Sequence, residues 1–118
     1  MLSIETTLVQ FLNRQPELTG IPVSTDVPPQ RPERFVTVER VGGDETPFTD
    51  HPMLAIQCWG TSRMQASFLA QRVKTLLERA TRIPAVARVR IESTLNDPLD
   101  EHTPRYQITA ELTVHKHM

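Results

Sequence analysis

Cys58 is the only thiol of the chain, and it sits between Gln57 and Trp59 in the apolar run MLAIQCWG. A nucleophilic cysteine needs a lowered pKa and a base in reach, whereas a cysteine on an apolar strand behaves as a small hydrophobe. The run favours the second role. His115 and His117 share one face of a strand, and with His51 or His102 they would supply nitrogen ligands for zinc. Lys116 between them makes a polar tail the simpler reading. Asp44, Glu45, Asp50 and His51 fall together in GGDETPFTDH, a donor set that suits a cation, although carboxylates in a polar loop are ordinarily just solvated. Gly42-Gly43 lacks the spacing of a phosphate-binding loop and reads as a strand-end turn. The expectation is of no catalytic residue, no metal and no cofactor.

The elements that position these groups are clearer than the groups themselves. Pro52–Trp59 carries apolar side chains on both faces, as a central strand does. Gly60 and Thr61 break it, and Ser62 with Gln65 forms a capping box in which the glutamine side chain reaches back to the serine N–H. The helix that follows places Ala66, Leu69, Ala70, Val73, Leu76, Leu77 and Ala80 on one stripe. Ahead of this unit, Ile4, Leu8, Phe11 and Leu12 mark a helix over about Ser3–Arg14, with Ser3 as N-cap and Glu5 at the positive end of the dipole. Ile21–Thr25 reads as a short edge strand and Phe35–Val41 as a longer one. The loop from Gly42 to His51 is too long for a tight hairpin but returns antiparallel into Pro52–Trp59. Beyond the main helix, Pro84 stops it. Val86–Thr94 then alternates Ala87, Val89 and Ile91 against Arg88, Arg90 and Glu92. Asn96–Thr103, with Asp97, is an acidic turn, and Tyr106–His115 is the clearest period-two segment. The order is α-β-β-β-α-β-β. It predicts an α+β fold, a mainly antiparallel sheet of about five strands with two helices on one face.

Composition narrows the function. The 118 residues suit one domain, residues 1–118, and 13 Lys+Arg against 14 Asp+Glu give no field that would gather nucleic acid or an anionic membrane. The opening residues have no basic start, so no secretory signal is expected, and no apolar run reaches the ~20 residues that cross a bilayer. A single cysteine suits a reducing compartment. The sheet face away from the helices should carry Thr37, Glu39, Gln57, Arg88, Arg90, Glu92, Gln107, Thr109 and Glu111. Without a platform of stacked aromatics it is a poor RNA surface, and mixed charges instead fit self-association or plain solvation. VPPQRPER, with Arg31 and Arg34, is extended and stiff. It is either a peptide ligand for a proline-binding module or, more simply, a rigid crossover loop. Phe48, alone among polar residues, either folds back on its own domain or anchors a neighbouring subunit.

Taken together, RPERFVTVERVGG, HPMLAIQCWG, the SRMQASFLAQRVKTLL helix and TPRYQITAELTV resemble the tail-terminator (minor tail, tail-completion) proteins of long-tailed phages and prophages. The similarity runs from about Pro22 to Val114, and the order and spacing of the four segments carry it. The resemblance implies a non-enzymatic α+β subunit that forms a ring, commonly a homohexamer, on the end of the tail tube. There it would stop tube polymerisation and meet the head-closure or connector protein. Its partners would be itself, the major tail tube protein and the connector, with only incidental contact with DNA and none with a membrane. Its place would be the neck end of the virion tail, reached from the host cytoplasm during assembly. A neck or head-closure protein of the same particle, or a small peptide- or RNA-binding module, is the alternative. The candidate interface residues are Arg31, Arg34, Asp44, Glu45, Phe48, Asp50, Arg88, Arg90 and Asp97.

Overall fold

A computed structural model describes residues 3–116. Helix α1 spans Ile4–Asn13. Strand β1 is Val23–Ser24, β2 Phe35–Gly42, β3 Thr49–Asp50 and β4 Met53–Trp59. Helix α2 is Arg63–Glu78, and strands β5 (Val86–Asn96) and β6 (Arg105–His115) follow. The fold is α+β, with six strands in one mixed sheet and both helices on one face. Five of the strands match those expected; the sixth is the two-residue β3. It pairs with β6 next to β4, so β3 and β4 form one interrupted line. Across the sheet the order is β1, β2, the β3–β4 line, β6 and β5. All neighbours are antiparallel except β1, which runs parallel to β2.

Each helix starts where a side-chain oxygen replaces a missing backbone acceptor. Ser3 Oγ accepts from the Thr6 N–H at 3.1 Å, and Ser62 Oγ accepts from the Gln65 N–H at 3.1 Å. The reciprocal half of the expected box is displaced by one residue. Gln65 Oε1 accepts from the Thr61 N–H at 2.7 Å and from its hydroxyl at 2.9 Å, not from Ser62. Glu5 also does more than face a dipole: its carboxylate accepts from the Arg40 N–H at 2.9 Å, fastening α1 to β2.

The core lies between helices and sheet. Leu8 and Leu12 of α1 and Leu69, Val73, Leu76 and Leu77 of α2 meet Val36, Val38, Leu54, Ile56, Cys58, Ile108 and Leu112. Burying side chains of this size contributes ~1.5–3 kcal/mol each, which is why the apolar stripes dictate the packing. α1 covers β1 and β2, and α2 covers β4, β5 and β6. Short β1 is closed by a side chain in place of a further strand: Asn13 donates to the Val23 carbonyl at 2.9 Å and accepts from its N–H at 3.0 Å. At the other edge, β5 departs from clean alternation. Its register with β6 shifts at Ala87 and again at Glu92. These bulges leave Ala87 exposed, not on the apolar phase, and keep the edge from presenting a flat ladder.

Candidate functional site

The two ends of the sheet carry most of the expected interface residues, in two different constructions. At the first end, the segment after β2 is itself paired. The His51 N–H donates to the Asp44 carbonyl at 2.9 Å, Glu45 bridges Asp50, and the Thr46 N–H donates to the Thr49 carbonyl at 2.7 Å. Thr46 Oγ1 also accepts from the N–H groups of Phe48 and Thr49. The stretch expected as an open loop is therefore a hairpin arm that prolongs β2 and the β3–β4 line, with Pro47-Phe48 at its tip. Proline at the second position of such a turn fixes φ where the turn needs it.

Three fastenings hold the arm at its base. The Arg40 guanidinium grips the Asp50 carboxylate through both terminal nitrogens, at 2.7 and 2.9 Å, and its Nε donates to the Gly42 carbonyl at 3.0 Å. Asp50 in turn keeps Arg40 raised above its already high ordinary pKa. Lys116 donates its N–H to the Phe48 carbonyl at 2.9 Å, and its ammonium lies 2.6 Å from Glu45. Gly43 takes φ 97°, where a Cβ would collide with the His51 carbonyl oxygen, so glycine is required at the point where the arm leaves the sheet. From this braced base the Phe48 side chain is 80% exposed. Of its two expected roles, folding back on its own domain is not what the structure has.

The opposite end gathers Arg31 and Asp97 around an aromatic pair that period-two reading does not reveal. Phe35 and Trp59 stack on the open face, 4.9 Å between centroids and 13° between planes. The Arg31 and Arg105 guanidinium carbons lie 5.5 and 5.0 Å from the Trp59 ring centroid. Asp97 holds Arg105 in place at 3.1 Å and through its carbonyl at 2.8 Å. A stacked pair is thus present where none was expected. It is nevertheless sealed, with Phe35 2% and Trp59 3% exposed, and offers no ring to a base. From Trp59 a polar chain crosses the open face: its Nε1 donates to Thr37 Oγ1, Thr37 to Gln57, Gln57 to Gln107, and Gln107 to Thr109, at 3.2–3.3 Å. These amides and hydroxyls satisfy one another within the chain. In the nearby turn, the His102 N–H and the Thr103 hydroxyl hold the Asp100 carboxyl below its usual range.

The remaining expected residues are scattered. Arg34 is half-buried just before β2. Arg88 and Arg90 stand exposed on β5 opposite Thr113 and Glu111, with Arg90 Nε 3.3 Å from Glu92. A groove of about 710 Å³ opens at the root of the arm, between the start of α1 and the end of β6. Four of the charged side chains in it are tied in pairs, Arg40 to Asp50 and Glu45 to Lys116, and the Glu5 carboxylate accepts from the Arg40 N–H.

The histidines do not converge. His51 faces Thr113 Oγ1 at 3.5 Å, His102 is in the acidic turn, and His115 is opposite Thr49 at the end of β6. His117 lies outside the described residues. Among the described residues no three His, Cys, Asp or Glu side chains form a set able to hold a metal, and no helix is long and apolar enough to cross a membrane. Cys58 faces the main core, fully buried, and burial pushes its thiol far up. The native protein is therefore expected to resist a thiol reagent and to label fully once denaturant unfolds it. Fast labelling of folded protein would contradict the packing around β4.

Helix α2 supplies a surface that the expected set lacked. Met64 and Phe68 are 67% and 60% exposed on its outer side, one turn apart. Their spacing, out of phase with the buried stripe, is visible in the sequence. Beside them lies a groove of about 430 Å³ lined by Phe68, Gln71, Arg72, Thr75, Leu76 and Glu17. Its far wall is tied to α2 by the Glu17–Arg79 ion pair at 2.6 Å, which also holds the Glu17 carboxyl below its usual range. A scan against models of protein families finds no match to this chain, and a search of curated proteins finds none either.

Proposed function

We propose that this protein is a non-enzymatic virion assembly subunit, a ring-forming tail terminator that caps the tail tube and offers the joining surface to the head. Two different supports meet in this reading. The tail assignment rests on the resemblance of the four sequence segments. The mode of action rests on a single structural observation, the braced arm that carries an exposed Phe48 away from the sheet. Holding a large aromatic in water on a stiff support gives no benefit to the isolated fold. As an anchor for another protein surface it costs little entropy on binding, because the arm is already ordered.

The chain is 44 Å long and 25 Å across, with the arm at one end and the Arg31–Trp59–Arg105 corner at the other. The ring would be a homohexamer, its axial partners the major tail tube protein and the head-closure or connector protein, with DNA touched only in passing. It would sit in the virion at the neck end of the tail. Electron microscopy of particles assembled with this gene disrupted tests the proposal. Overlong, unjoined tail tubes are expected, and tubes of normal length would refute a terminating role.

A further inference from the structure

Two edges bound the sheet, and only one is closed. At the first, Asn13 satisfies both backbone groups of Val23 in β1, and Glu5 accepts the outward N–H of Arg40 where β2 runs on past β1. At the other, β5 has no partner on its outer side among the described residues. The direction of its backbone groups follows from the ladder. The Asp97 N–H donates inward to the Arg105 carbonyl at 2.9 Å, and Leu95 and Ser93 lie opposite Gln107 and Thr109 in the same phase. Thr94 and Asn96 therefore turn both N–H and C=O outward, and both residues are exposed. The usable stretch of this edge is short and symmetric. The bulge at Glu92 ends it on one side, and Pro98, with no N–H to give, ends it on the other. Its midpoint is Leu95, opposite Gln107 on the open face and 43% exposed.

We propose that two copies of this chain pair antiparallel along Ser93–Asp97, about a two-fold axis at Leu95. In that register Thr94 of each copy faces the partner's Asn96, and each such pair exchanges N–H···O=C bonds in both directions. Leu95 meets the partner's Leu95 at a non-hydrogen-bonded position, with Cα atoms ~4.5 Å apart. The bulge of each strand then falls beside the proline of the other, so the obstacles to pairing lie outside the contact. The β1–β2 edge of a second copy offers no such row, being closed by Asn13 and Glu5. The contact is isologous and small beside a standard interface, so it adds a two-fold link to an assembly without founding one. It goes beyond the tail role proposed above and does not rest on it.

Disulfide trapping through Leu95→Cys tests it, since buried Cys58 stays out of the reaction. Under mild oxidation of the full chain at the highest soluble concentration, this variant should form a covalent dimer about tenfold faster than Ser93→Cys, whose two thiols would stand ~13 Å apart. Equal rates would mark random collision and overturn the proposal, as would absence of dimer from Leu95→Cys. Adding Thr94→Pro removes an outward N–H and no bond to β6, so it should cut the Leu95→Cys dimer about tenfold while circular dichroism melting stays put. Asn96→Pro makes the same test should the first proline disturb the fold, and undiminished trapping in a folded proline variant would overturn the pairing. In the wild type, the Thr94 and Asn96 amides should exchange faster than those of Ser93 and Leu95 when dilute, and slow as the protein is concentrated. Slowing only when a different protein is added would assign the edge to a foreign strand and overturn the proposal.

Discussion

Replacing Phe48 with alanine is expected to leave the folded subunit intact and to abolish its self-association. The side chain is 80% exposed and the tip is held by backbone bonds and Thr46, so its loss should change unfolding stability by no more than ~0.5 kcal/mol. An aromatic anchor removed from the centre of a contact ordinarily costs ~2 kcal/mol or more, about 30-fold in affinity per contact. A closed ring makes that contact at every subunit, so the loss compounds. Circular dichroism melting alongside sedimentation of wild type and variant reads both halves. A variant that melts as wild type yet still assembles as wild type would show that the arm is not the anchor.

The second large effect concerns Trp59. Its ring is the centre of the small packed layer on the open face, where it stacks on Phe35, donates to Thr37 and lies under Arg31 and Arg105. Trp59→Ala is expected to cost ~3–5 kcal/mol, the range for a large buried aromatic. Against the ~5–15 kcal/mol of a typical domain, that is a severe loss. Trp59→Phe should keep part of the stack but leave the Thr37 hydroxyl without its indole donor, for about 1 kcal/mol. Trp59 is the chain's only tryptophan, so unfolding of both variants must be followed by circular dichroism. A shift in the denaturant midpoint for Trp59→Ala no larger than that of Trp59→Phe would mean the corner is only a surface ornament.

What sequence makes legible here follows from how local each cause is. The stripe on α2, the N-cap oxygens of Ser3 and Ser62 and the alternation of Tyr106–His115 depend on neighbours within a turn or a strand, and each appears in the fold; only the returning half of the Ser62 box differs, falling on Thr61. The arm was missed because its pairing is carried by Thr46, Asp44 and Asp50 rather than by alternating apolar residues. Its fastening to Arg40 of β2 and to Lys116 after β6 joins segments distant in sequence. The Phe35–Trp59 stack depends on the β2–β4 register, in which those two residues are direct partners. The bulges at Ala87 and Glu92 are likewise properties of the pair, not of the strand. Of the expected interface residues, Asp44, Glu45, Phe48 and Asp50 do share one structure, while Arg34, Arg88 and Arg90 lie elsewhere.

The central claim is that this chain works by assembling with copies of itself on a tail tube. The most direct measurement is the mass of the native protein by light scattering, alone and with purified tail tubes. The account predicts a ring of about six times the 13.4 kDa subunit, roughly 80 kDa, either free or formed at tube ends. A protein that stays monomeric at every concentration and never binds a tube end would contradict it.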